Sequence, residues 1–390
     1  MKKAIVVEEF NFRQWREKKE ESWRRSPLNL PINLAEFRSY KDIVSEKILK
    51  ILVLGRYRKG SLAGTNFELN KHHFRKIIER RVIQREPIQL VICAFPFKIP
   101  NDFLTERRKP DLGEVASITR FYEIIFRIKE IYPPGAQFII LCDGLSYGRM
   151  FGVPEKEIKE YKKGLQTVIT LMGLEPFIIL KDLFDLIKNN KEFSIELIKN
   201  KKFVENWWQN KKNNKEKAER IRKALRALKI RDLNLTPQEF QKYYENFVKG
   251  EKPLPLVIEE KAVRLAKDYF AFSLTKDKLK IVEKAYPDYL RMTVHPKPKQ
   301  FGLFMIDKKE KLRPWYGIGL WRTDGSVRVT PEFYLKNSPE YTPVFLKNEK
   351  FPFCYLEQDI LFFKTFSRFW KSHGSLAVKP KTFNRPFCLV

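Results

Sequence analysis

Cysteine and histidine are scarce, with four of each in 390 residues. Cys93, Cys142, Cys354 and Cys388 show no paired spacing, and His72, His73, His295 and His373 match no metal-ligand pattern. Neither a disulfide framework nor a zinc site is expected. No apolar run reaches the ~18 residues of a membrane helix, and the apolar start turns charged after Val7, short of the ~7–15 residues of a secretory core. A soluble cytoplasmic protein without a membrane role is therefore expected. No G-x-G-x-x-G follows any strand-like run, so a nucleotide cofactor is not supported.

Acidic residues are also in deficit. There are 77 Lys and Arg against 47 Asp and Glu, a formal net charge of +30. Alone, that balance would suggest a polyanionic partner. The excess is spread along the chain, as at Lys188–Lys202 and Lys211–Lys217, and no aromatic-and-basic module of a nucleic-acid binder is visible. Nucleic acid is the weaker reading. What the chain does have is apolar material, 43% hydrophobic and 14% aromatic with 32 Phe, enough for a sizeable core.

Pro87–Phe95 (PIQLVICAF) has the continuous apolar character of a strand covered on both faces. Val115, Ile118, Phe121, Ile124, Ile125 and Ile128 then fall at helical spacing. Between them lies a long polar loop, and in parallel sheets ligands bind beyond the carboxyl ends of strands. Gln137–Cys142 repeats the strand pattern and ends at Asp143, Pro154–Met172 reads as a helix, and Pro176–Leu180 as a third strand. The alternation predicts an α/β fold: a Rossmann-like parallel sheet flanked by helices, with a helical insertion and a β-rich C-terminal section. Upstream, helices are expected from Ser45 and over His72–Gln84. The helical subdomain spans about 183–286, where Trp207 and Trp208 read as core or interface. Leu290–Val294, Phe301–Ile306, Trp315–Trp321 and Ser326–Val329 read as an antiparallel section. Residues 1–44 read as an extension partly packed through Phe10, Phe12, Trp15 and Trp23, and residues 356–390 as a tail without an assigned role.

Three segments together resemble the isonitrile (isocyanide) synthase family, the pyoverdine and dityrosine biosynthesis proteins. They are FPFKIPN and PDLGE within Phe95–Glu114, IYPPGAQFIILCDGLSYGRMFGVPEKEIKEY at Ile131–Tyr161, and YPDYLRMTVHP at Tyr286–Pro296, followed by PWYGIGLWRTDGS at Pro314–Ser326. The resemblance covers roughly residues 45–355, a single catalytic domain. It departs in the N-terminal extension, the Lys-rich region near 190–230 and the tail, and Arg107-Arg108-Lys109 is richer in charge than the family pattern. It implies that the amine of an aromatic L-amino acid, tyrosine or tryptophan, becomes an isonitrile whose carbon comes from C2 of ribulose 5-phosphate, a carbon–carbon lyase chemistry. No metal or organic cofactor is implied, and an iron/2-oxoglutarate oxygenase is the implied pathway partner. N-formylation of tyrosine, as in dityrosine synthesis, is the alternative within the family.

Such a reaction needs two cationic clamps, one for a phosphate and one for a carboxylate. Arg107, Arg108 and Lys109 offer one set, Arg291 and Lys297 another, with Arg56 and Arg58 in reserve. It also needs groups that titrate near neutrality. Lys98, just past a buried strand, is the leading candidate as base or imine former, with His295 as a second proton carrier. Asp143 would accept from sugar hydroxyls or the substrate ammonium, or cap the turn that follows it. Asp111 and Glu114, three residues apart, have capping-box spacing, which leaves a ligand role open. Asn101 and Tyr147 complete the candidate contacts.

Overall fold

A computed structural model describes residues 4–7, 9–28, 30, 39–54, 61–250, 253–294, 299–307 and 312–357. In chain order the strands are β1 (Ile5–Val7), β2 (Ile88–Ala94), β3 (Ala136–Cys142), β4 (Ile178–Asp182), β5 (Leu290–Thr293), β6 (Phe301–Gly302), β7 (Ile318–Trp321), β8 (Val327–Thr330), β9 (Tyr341–Leu346) and β10 (Cys354–Glu357). They form two sheets. One has the order β4-β3-β2-β5-β6 and is parallel throughout. The other, β1-β9-β10-β7-β8, is mixed.

The parallel sheet is apolar on both faces, as continuous hydrophobic strands require. Ile88, Leu90 and Ile92 with Phe138 and Ile140 belong to the main core, whereas Val91, Ile139 and Leu141 form a smaller cluster with Leu183 and Val282. The helix Leu112–Lys129 follows β2 and packs against β3 and also against β7 and β8, so it is a layer shared by both sheets. Close approach there demands a residue without a side chain: a Cβ on Gly319 of β7 would lie 2.7 Å from Gly113 N and 2.8 Å from Leu112 Cβ. The upstream helices run over Tyr40–Leu54 and Ser61–Gln84.

Between β4 and β5 the chain is helical, with long helices at Lys191–Gln209, Asn214–Ala227, Pro237–Lys249 and Leu256–Lys278. The third starts where Thr236 and Glu239 make a capping box with Pro237 in the first turn, and stops at Gly250, whose φ of 74° ends a helix without strain. Leu256–Lys278 packs on the first two and on the short helix Gly144–Phe151 that leaves β3. This brings a helical layer against the carboxyl end of β3.

The structure corrects the reading of the last third. Leu290–Thr293 and Phe301–Gly302 extend the parallel sheet instead of an antiparallel one, because β5 is buried on both faces and pairs in register with β2, Leu90 beside Leu290 and Ile92 beside Met292. β7 and β8 do form an antiparallel hairpin, turned at Asp324-Gly325 with Gly325 at φ 76°. β10, however, pairs parallel with β7. Residues 5–7 and 9–25 are woven into the second sheet and the core: β1 pairs with β9, Trp15 Nε1 donates to Thr119 Oγ1 at 3.0 Å, and Phe10 and Phe353 rings lie 5.3 Å apart. No helix among the described residues is long and apolar enough to cross a membrane.

Candidate active site

The polar loop after β2 holds a fully buried ionic cluster. Lys98 Nζ lies 2.6 Å from Asp111 Oδ2 and 2.9 Å from Glu114 Oε2, and donates to the carbonyls of Pro314 (2.8 Å) and Gly317 (2.9 Å). The two carboxylates have further work. Asp111 Oδ1 accepts from Gly113 N at 2.6 Å and Gly319 N at 3.2 Å. Glu114 Oε2 accepts from Asp111 N at 2.9 Å, which completes the capping box, and Oε1 accepts from the Tyr161 hydroxyl at 2.9 Å. Burial pushes the Glu114 carboxyl up to about 7 against the pull of Lys98. The cluster therefore fastens three pieces together: the loop, the start of Leu112–Lys129, and the Pro314–Gly317 turn of the second sheet.

The loop arginines are engaged in the same way. Arg107 donates to the carbonyls of Pro110 (3.0 Å) and Phe351 (3.2 Å), and Arg108 pairs with Asp102 at 2.8 Å and donates to Thr105 O at 2.7 Å. Lys109 pairs with Glu349 at 2.9 Å. Asn101, fully buried, donates to Arg226 O at 3.0 Å and accepts from Phe103 N at 3.1 Å. A surface cavity of about 260 Å³ beside Arg108 is lined also by Pro100, Asp102, Glu157 and Lys229.

A second polar cluster lies where Leu256–Lys278 meets the strand ends. Asp143 directly follows β3, and the next residue must be glycine, since a Cβ on Gly144 would sit 1.9 Å from Pro96 O. Tyr147, one helical turn on, is buried and meets Lys276, whose Nζ donates to its hydroxyl at 3.4 Å. Tyr147 also packs on Tyr269, ring centroids 5.2 Å apart, and on Phe272 at 4.8 Å. From the sheet side, Arg291 of β5 directs Nη2 to Cys93 Sγ at 3.2 Å and Nη1 to Met292 O at 2.8 Å, with Glu283 at 3.7 Å from its Nε. Asp143 Oδ1 is buried and has no hydrogen-bond partner among the described residues.

The electrostatics single out Asp143. Burial raises its carboxyl to about 6, held there against Lys276, a backbone N–H and Arg291, each of which favours the carboxylate. Burial alone would lower the Lys276 ammonium, but Cys93 and Asp143 outweigh it and leave its pKa raised. Tyr316, on the turn that Lys98 holds, is raised chiefly by burial, with Arg226 pulling it down, Asp143 pushing it up and Arg313 pulling it down. A carboxyl that changes charge near neutrality can serve in proton transfer.

The structure thus brings Asp143, Tyr147 and Arg291 together, while Lys98, Asp111, Glu114, Arg107, Arg108 and Asn101 form the bracing beside them. Lys98 has four oxygens around it and no exposed side-chain surface. His295, Lys297, Arg56 and Arg58 lie outside the described residues. Sequence reasoning missed Lys276, Tyr269 and Phe272, whose i, i+3, i+7 spacing marks one helix face and was the available signal. Cys93 is half-buried, with its thiol against the Arg291 guanidinium. Among the described residues no group of three or more His, Cys, Asp or Glu could hold a metal ion.

Comparison with known proteins identifies the family. Residues 78–340 match the family model of the pyoverdine/dityrosine biosynthesis proteins. The chain is 25% identical over 255 residues to an L-tyrosine isonitrile synthase of Pseudomonas aeruginosa, covering 62% of this chain and 72% of that one. It is 23% identical over 245 residues to the L-tryptophan isonitrile synthase AmbI2 of Fischerella ambigua, covering 60% and 68%. With isocyanide synthase xanB of Aspergillus fumigatus it shares 30% identity over 137 residues, 32% of this chain but only 17% of that longer protein. The fold is similar to the crystal structure of PvcA from Pseudomonas aeruginosa, with a TM-score of 0.58 at 21% identity, over 81% of this chain and all of that one. With well over half its residues matched by the family model, the chain belongs to the pyoverdine/dityrosine biosynthesis protein family.

Proposed function

We propose that this protein is an isonitrile synthase that converts the amino group of an aromatic L-amino acid, tyrosine or tryptophan, to an isonitrile, with ribulose 5-phosphate as the carbon donor. The observation that carries the reading is the buried, unpartnered Asp143 Oδ1 at the carboxyl end of β3, within the field of Lys276 and Arg291. The named activities of the bacterial relatives support it.

The reaction begins with an amine that must shed its proton before it can attack the sugar ketone, releasing water as the imine forms; carbon–carbon cleavage follows. Asp143, with its carboxyl near 6, accepts the substrate ammonium and takes its proton. Tyr147, Tyr269 and Phe272 offer ring faces and edges to an aromatic side chain. Arg291 supplies positive charge for an anionic group. His295, which follows Val294 in the sequence, is a further proton carrier proposed from the sequence alone.

The test is to incubate the protein with each aromatic amino acid and ribulose 5-phosphate labelled at C2, and to follow the products by mass spectrometry. Label in an isonitrile-bearing product is expected with tyrosine or tryptophan. Absence of label transfer to every aromatic amino acid would remove the proposal.

A further inference from the structure

Lys276 and Asp143 influence each other electrostatically, yet no hydrogen bond or ion pair joins them among the described residues. Each is incomplete. The Lys276 ammonium has three donors and, among the described residues, one neutral partner, the Tyr147 hydroxyl at 3.4 Å, although the residue is only 9% exposed. Asp143 Oδ1 has none. A buried ammonium and a half-buried carboxylate that close to ion-pair distance would each satisfy the other; held apart, each presents charge to whatever lies between. Glu283 is 3.7 Å from Arg291 on its Nε side, and Asp277, next to Lys276 in the chain, bears on Tyr147. Neither forms an ion pair with the Lys276 ammonium among the described residues. Lys276 also lies in the last turn of its helix, where the dipole favours a cation.

From this geometry we infer that Lys276, assisted by Arg291, is the anchor for the α-carboxylate of the amino acid substrate. The ligand class follows from three neighbouring features. Asp143 matches an ammonium, Lys276 a carboxylate, and the Tyr147, Tyr269 and Phe272 rings an aromatic side chain, the three groups that an aromatic L-amino acid carries on one carbon skeleton. A phosphate on the sugar would also suit a cation, but it brings no ammonium for Asp143 one carbon away. The inference deepens the isonitrile synthase reading and rests on it for the identity of the amino acid.

Equilibrium binding of L-tyrosine, tyramine (which lacks the carboxylate) and inorganic phosphate to the full chain tests it, with Lys276→Met and Lys276→Arg as variants and denaturant unfolding of each as a control. The wild type should prefer L-tyrosine to tyramine. Lys276→Met should weaken L-tyrosine about ten- to a hundredfold, the loss of one charge-assisted hydrogen bond, and leave tyramine within about threefold. Lys276→Arg should recover most of the L-tyrosine affinity, which a variant that had lost its fold could not do. Equal loss of both ligands in a folded Lys276→Met, or loss of phosphate with L-tyrosine unchanged, would overturn the assignment. If the wild type binds as expected but transfers no labelled carbon, the reaction assignment fails and the anchor stands; isonitrile formation with an unchanged KM for the amino acid in Lys276→Met is the reverse case.

Discussion

Replacing Lys98 by methionine keeps an unbranched side chain of similar length and removes its charge together with its N–H donors, which makes it the sharpest probe of the buried cluster. In the wild type the ammonium answers two carboxylates, Asp111 at 2.6 Å and Glu114 at 2.9 Å, and two backbone carbonyls. Without it, two acids remain buried with backbone and hydroxyl donors only. Removing one partner of a buried pair costs about 3–5 kcal/mol, a large share of the ~5–15 kcal/mol that holds a domain folded. The pH dependence follows from Glu114. Its carboxyl sits near 7, above the unfolded value of 4.5, so the folded state binds more protons than the unfolded one across that window. Its contribution to stability is complete below about 4.5 and is lost as pH rises through 7. Lys98→Met removes the charge that holds Glu114 down, so the variant's deficit should be small near pH 5, where a proton replaces the ammonium, and largest near pH 8. Urea midpoints across that range measure it. A deficit under about 1 kcal/mol at pH 8, with turnover abolished, would refute the structural role and make Lys98 a reacting group.

Three further outcomes are expected. Asp143→Asn should reduce kcat/KM about a hundredfold or more and remove the limb of the pH–rate profile near 6 that an ionising Asp143 produces, with unfolding little changed. Gly144→Ala should destabilise by about 1–3 kcal/mol or fail to fold, because its Cβ would overlap Pro96 O; circular dichroism and the urea midpoint report it. Thr119→Val should cost about 1–3 kcal/mol by leaving Trp15 Nε1 without its acceptor, and wild-type stability in that variant would detach residues 12–25 from the core's energetics.

Much of the parallel sheet was legible because its strands are apolar on both faces and its helices carry clear periodicity. Ile88–Ala94, Ala136–Cys142 and Leu112–Lys129 were readable to within two residues. β5 and β6 were assigned to the wrong sheet because a four-residue and a two-residue strand carry too little pattern to tell parallel from antiparallel pairing. The site was half legible. Asp143 and Tyr147 are close in sequence to a strand end, where topology directs attention. Two of the oxygens that hold Lys98 are backbone carbonyls 216 and 219 residues away, which no local pattern encodes. Lys276 was hidden by composition, one lysine in a lysine-rich helical stretch, and only its packing against Tyr147 distinguishes it.

The proposed chemistry occurs where Leu256–Lys278 meets the ends of β2 and β3. Crystals of the protein soaked with L-tyrosine measure this most directly. The amino group is expected within hydrogen-bond distance of Asp143, the carboxylate at Lys276 and the ring against Tyr147. Density for the ligand in the cavity lined by Asp102, Arg108 and Lys229, with Asp143 Oδ1 still without a partner, would contradict it.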